Sequence, residues 1–247
     1  RVHTLVVSPS VREIGDDAFR DCAELVRIEF REGSALRRIG YRTFQESGLE
    51  AFAAPPSLRT LCQGAFRCCK RLRATVLNEG LETLGTEEAA GSALQGCGVF
   101  QESGLESVVL PSTLRTIEYN AFRDCKELHR VEFPDCLEKI GGQAFHGSGI
   151  AVFVTPPSLR EVTQGAFDGC RNLTNAELNE GLEALGTTYT NGCYESNYGV
   201  FENAALRNIR LPHTLRRIER HSFRCCWHLK NIGLPEGLVY IGSECFN

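Results

Sequence analysis

The chain has 247 residues, 42% of them hydrophobic and 23% charged, which excludes disorder and suits one large globular domain or two small ones. Its net charge of -4, from 27 basic and 31 acidic residues, provides no cationic excess to neutralise phosphates, so nucleic-acid binding is not expected. No apolar run reaches the roughly 18 residues of a membrane span, and no signal peptide is visible.

One pattern runs from end to end. Val2, Leu5 and Val7 match the strand half of a repeat, and the segment from Val11 to Phe30 then sets the full form, L-x-x-I-G-x-x-A-F-x-x-C-x-x-L-x-x-I-x-L-P. It starts at Val11, Leu36, Leu58, Leu81, Leu114, Leu137, Leu159, Leu182, Leu215 and Leu238, with spacings of 25, 22, 23, 33, 23, 22, 23, 33 and 23. A four-repeat block of 101 residues is therefore duplicated. Within it the step from Phe to the next Leu or Ile alternates, six residues for Phe19 to Leu25 and five for Phe44 to Leu49, so the natural unit is a pair. Both ends fall inside the pattern and neither supplies the polar cap that an open solenoid needs, so the native chain is expected to be longer, or a partner to cover the ends.

All 14 phenylalanines belong to the repeat. Ten occupy one position (19, 44, 66, 100, 122, 145, 167, 201, 223 and 246), while Phe30, Phe52, Phe133 and Phe153 take inward strand positions. A period of 20 to 29 residues carrying L-x-x-L-x-L predicts a leucine-rich solenoid, in which each unit adds a short parallel strand and buries its apolar residues against its neighbours. At about 4.8 Å per strand, ten coils make an array of roughly 45 to 50 Å.

The motif I-G-x-x-A-F-x-x-C-x-x-L, as at Ile14 to Leu25 and Ile117 to Leu128, resembles the BspA-like leucine-rich repeats of bacterial surface proteins and of unicellular eukaryotes. The resemblance covers essentially all of the chain, and the two long repeats depart from the family pattern. It implies an α/β, right-handed leucine-rich repeat solenoid of about ten coils with a parallel sheet and short turn or helix segments, a single unit over 1–247. It also implies binding or adhesion without catalysis, often at a cell surface.

Twelve cysteines invite a disulfide or zinc reading, but Cys22, Cys69, Cys125, Cys170 and Cys226 share one repeat position, held by Ser47, Ser103, Ser148 and Ala204 in the coils between. Ladder cysteines two coils apart are separated by about 9 to 10 Å, beyond the roughly 7 Å that a disulfide tolerates. They are expected to be free thiols acting as small hydrophobes. Only Cys97 and Cys193 fall outside the repeat framework. The string His221-x-x-x-Cys225-Cys226-x-His228 is not expected to hold zinc, because the ladder claims Cys226 and adjacent cysteines point apart. Catalytic motifs are lacking, no cofactor is expected, and the histidines read mostly as exposed variable positions.

Two surfaces are candidates for binding. Residues flanking the middle apolar position of L-x-x-I-x-L point outward, and the central stretch of these columns, Ala51, Ala53, Ala74, Val76, Val109, Val152 and Val154, is apolar where water is expected. The second candidate is the pair of insertions, Thr86 to Gly98 and Thr187 to Gly199, expected to project as two prongs roughly 20 Å apart. The latter carries Tyr189, Tyr194 and Tyr198 among Ser, Asn and Gly, a mixture used in binding loops. Asn172-Leu-Thr174 is the one glycosylation acceptor sequence. The expected function is protein binding, as an interaction module or as a structural subunit of a larger assembly. A cell-surface adhesion array is the alternative, and carbohydrate binding by the tyrosine insertion ranks behind both.

Overall fold

The structure is a computed structural model that describes residues 2–85, 96–187 and 198–247, with Thr187 described by its backbone alone. Every strand pairing in it is parallel. Each coil lays down two short strands, because the repeat has two places where an apolar residue sits between outward neighbours. The L-x-x-I-x-L segments form the front ladder, from Thr4–Val7 to Asn208–Arg210, and the residues around I-G form a second, from Glu13–Ile14 to Tyr240–Ile241.

The third side closes without a helix among the described residues. This corrects the α/β expectation and its helix segments, and the reason is local. Most coils place two residues in the left-handed region on this side, such as Asn120 and Asp124 at φ 58° and 55°, and the two long repeats place one there, Glu102 and Asn203; a right-handed helix cannot pass through them. The backbone amides bond between coils instead. Phe122 N–H donates to Ala144 O at 2.7 Å and Phe145 N–H to Ala166 O at 2.8 Å, and the same bond recurs for each ladder Phe from 19 to 223.

Inside, the ten ladder phenylalanines form one continuous stack. Its nine successive pairs have ring centroids 5.2 to 5.8 Å apart and planes within 16° of parallel. Registry with the coil spacing explains this geometry: parallel strands lie about 4.8 Å apart, close to the distance at which offset rings attract. The stack amounts to about nine full turns of solenoid.

The cysteine column runs beside it, and these thiols are free. They do more than fill space. The Sγ–H of Cys69, Cys125, Cys170 and Cys226 donates to the carbonyl of the Phe one coil back, Phe44, Phe100, Phe145 and Phe201, each at 3.0 Å. Ser47, Ser103 and Ser148 stand 3.4 to 3.6 Å from the next ladder sulfur, so three Ser–Cys pairs recur along the core, and Ala204 takes the serine's place before Cys226. Burial pushes the Cys125 and Cys170 thiols up to about 12, with the serine bonds pulling the other way.

The five-residue step is built around glycine. In the short coils a Cβ at Gly48, Gly104 or Gly149 would stand 2.1 to 2.2 Å from the carbonyl oxygen of Ala23, Lys70 or Lys126 in the coil before. Glycine allows that approach without a shift, and in the fourth such coil, where Ala205 takes the position, the equivalent amide bond to the coil before is longer, 3.4 Å to Cys170 O against 3.1 to 3.2 Å at the glycines.

Candidate binding face

The front ladder presents the outward columns in the expected register. Ala51, Ala74, Ser107 and Arg130 are Cα partners in one column, and Ala53, Val76, Val109 and Glu132 in the next. Val152 and Val154 continue these columns into Asn175, Asn208 and Glu177, Arg210. Val76, Val109, Val152 and Val154 are 51%, 57%, 53% and 48% exposed.

The polar residues of the face pair with one another. Asn208 Nδ2 donates to Asn175 Oδ1 at 2.9 Å and Arg210 Nη1 to Glu177 Oε1 at 2.8 Å, while Arg27 pairs with Glu29 and Arg130 with Glu132 within their own strands. Such exposed pairs contribute only about 0 to 1 kcal/mol each. They divide the face, because the Arg130–Glu132 pair lies between Val109 and the Val152–Val154 strand. The apolar stretch is two patches and not one.

The front ladder is also interrupted, which the sequence reading missed. Strands Ala51–Ala53 to Arg130–Glu132 form one sheet and Val152–Val154 to Asn208–Arg210 another, with no ladder between Arg130–Glu132 and Val152–Val154. An equivalent break separates Arg27–Phe30 from Ala51–Ala53. At both, a Phe ending one strand meets a Phe in the middle of the next: Phe30 against Phe52 at 6.1 Å, and Phe133 against Phe153 at 5.4 Å, edge to face. Two bulky rings under adjacent strands part the backbones. The signal was present, since these four are the phenylalanines left over from the ladder.

Over the second break the face holds a groove of about 750 Å³. Val131, Phe133, Val152, Val154 and the Pro156-Pro157 pair give it an apolar lining, with Arg130, Glu132 and Asn179 among its polar residues. Among the proposed contact residues, Val152 and Val154 line the groove, and Ala53, Val76 and Val109 lie on the patch across the Arg–Glu pair.

The insertion fares differently. Tyr189 and Tyr194 lie outside the described residues, as does the projection of the two prongs. Tyr198, where the insertion rejoins the coil, is 44% exposed, with its ring centroid 6.1 Å from that of His146. His146 and His221 are more enclosed than the other four histidines, and His146 Nδ1 lies 2.9 Å from Asp168 Oδ2. Among the described residues no group of three or more His, Cys, Asp or Glu is placed to hold a metal ion. No described helix is long and apolar enough to cross a membrane.

The profile of the BspA type leucine rich repeat region matches in 6 copies, over residues 1–97, 96–198 and 195–247. The chain belongs to the BspA-type leucine-rich repeat family. Solved structures similar to this BspA-type chain include a leucine-rich repeat protein from Bacteroides ovatus, at 21% identity and a TM-score of 0.56, covering 99% of this chain and 76% of that one. The pneumococcal vaccine antigen PcpA is similar at 23% identity and a TM-score of 0.59, covering 97% of this chain and 58% of that one. A leucine rich cell surface protein from Faecalibacterium prausnitzii is similar at 19% identity and a TM-score of 0.51, covering 98% and 70%. At these identities the likeness establishes the fold. A search of curated proteins found no match.

Proposed function

We propose that this BspA-type solenoid binds a protein partner, without catalysis, through the front face formed by Ala53, Val76 and Val109 and by Val152 and Val154 beside the groove, with Tyr198 and the Tyr189 and Tyr194 insertion as a second contact. The observation that carries the proposal is the set of four half-exposed valines on the front face, Val76 with Val109 on one sheet and Val152 with Val154 on the next. Exposed apolar patches of this kind commonly mark a contact site. The groove adds a recess for an inserted side chain, the feature around which hot spots form.

A cell-surface setting is the second reading. It draws on the neighbours, one of which is described as a cell surface protein and another as a vaccine antigen. The two readings are compatible, because one concerns the surface that binds and the other where it binds.

The test is a pair of double variants, Val76→Arg with Val109→Arg and Val152→Arg with Val154→Arg, compared with the wild-type chain for retention of the partner isolated with it. The proposal requires that at least one pair abolishes retention with hydrogen exchange of the core unchanged. Full retention by both would refute it.

A further inference from the structure

A second recess lies on the flank where the chain leaves the phenylalanine stack for the front ladder. Here each coil carries a left-handed residue three before its Leu or Ile in the short coils and four before it in the long-step ones: Asp21, Glu46, Cys68, Glu102, Asp124, Gly147, Gly169, Asn203 and Cys225. Seven of these nine hold a side chain, and the two glycines are consecutive. The missing side chains leave a cleft of about 610 Å³, with Asp124 at one end and Asn203 at the other.

Its polar groups divide into those already engaged and those that are not. Asp168, almost fully buried at the floor, accepts from Asn203 Nδ2 at 3.0 Å and lies against His146. Asp124 is paired with Arg123 at 3.4 Å. Lys126 and Arg171 on the rim are exposed, and neither is in an ion pair among the described residues. The rim thus offers two cations outside any described ion pair, Lys126 and Arg171, while Asp124 retains capacity to accept from hydroxyl groups.

The rim residues belong to a longer row. Lys70, Lys126, Arg171 and Trp227 occupy one repeat position in alternate coils, about 10 Å apart, and Trp227 is 78% exposed. Alternating cations ending at an aromatic plate match an extended acidic oligosaccharide, whose carboxylates recur once or twice per disaccharide and whose ring faces stack on indole. A peptide of acidic residues alone would satisfy the cations but offers no ring face to the indole.

We infer that the cleft at Gly147 and Gly169, with Lys126, Arg171 and Trp227, is a binding site for an acidic saccharide, separate from the front face. Trp227 is the chain's one tryptophan and reports on the site directly. The experiment titrates the whole chain with oligogalacturonate and follows Trp227 emission, with calorimetry in parallel. A saturable change is expected, weakened at least about tenfold in Arg171→Ala, as for loss of a charged contact.

Gly169→Asn fills the cleft at the cost of a left-handed strain that asparagine tolerates better than most residues. Its Cβ would meet nothing closer than 3.7 Å, and asparagine already occupies the same left-handed position at Asn203. It is expected to abolish binding, and methyl-esterified oligogalacturonate to bind at least roughly tenfold more weakly than the acid, by the same charge argument. Absence of saturable binding, equal affinity in Arg171→Ala and Gly169→Asn, or equally tight binding of a polyglutamate peptide would each overturn the assignment.

Discussion

Replacing Phe145 by alanine probes what holds the solenoid together. Phe145 is fully buried, stacked between Phe122 at 5.2 Å and Phe167 at 5.3 Å, with Phe133 against its edge at 5.6 Å. The cavity cannot collapse readily, because both neighbouring rings are fixed by their own amide bonds to the next coil. The cost should fall at about 3 to 5 kcal/mol, the range for buried aromatic truncation. Phe246→Ala is the control, since that ring is 46% exposed and stacks only on Phe223. Its cost should stay below about 1.5 kcal/mol, in proportion to the smaller area lost from contact. Urea unfolding gives the totals, and amide exchange of Phe122, Phe145 and Phe167 locates them, because nearest-neighbour coupling confines the damage to adjacent coils. A loss at Phe145 below about 1 kcal/mol, or equal losses at both sites, would refute the stacked-column account of stability.

Four further outcomes follow from the same geometry. Cys125 and Cys170 should resist alkylation in the native state while the partly exposed Cys68 and Cys225 react, as mass mapping after iodoacetamide would reveal. Because their folded thiols hold a proton up to about 12 against an ordinary 9.0, the stability they contribute is complete below pH 9 and drains away as pH rises toward 12; thermal melts of Cys125→Ala should show a shallower alkaline limb. Gly149→Ala should cost about 1 to 3 kcal/mol through the clash with Lys126 O, relieved only by the kind of shift seen at Ala205, whereas Gly169→Ala, whose Cβ would meet only ordinary contacts at 3.7 Å or more, should cost the strain of a left-handed alanine, about 1 to 2 kcal/mol. Amides of His213 and Thr214 hold the Glu180 carboxyl below its ordinary 4.5, so what it contributes is present above that pH and lost as pH falls through the lower folded value; carboxyl NMR should place its titration below the ordinary glutamate value, and an ordinary value would contradict this.

The repeat made most of this fold legible. Phe spacing gave the stack and its length, alternation in L-x-x-I-x-L gave both outward columns in register, and the Cys/Ser alternation excluded disulfides. Three features escaped because they depend on what neighbouring coils do together. Helix was expected where the repeat turns, but nothing in A-F-x-x-C marks two left-handed residues in most coils, the majority of them not glycine. The ladder breaks needed Phe133 and Phe153 to be compared across a coil boundary, and the polar cleft needed Gly147 and Gly169 to be seen as vacancies in one column. The thiol bonds to Phe carbonyls follow from the coil spacing, which the motif does not specify. For the insertion tyrosines, the sequence reading stands beyond the described residues at Tyr189 and Tyr194.

The most direct test of the front face as the binding surface is hydroxyl-radical footprinting of the chain alone and in the complex isolated with it. The account predicts protection at Val76, Val109, Val152, Val154 and Tyr198, with Leu234 and Val239 unchanged. Protection confined to the second ladder or to the terminal coil, with the valines as reactive as in the free chain, would contradict it.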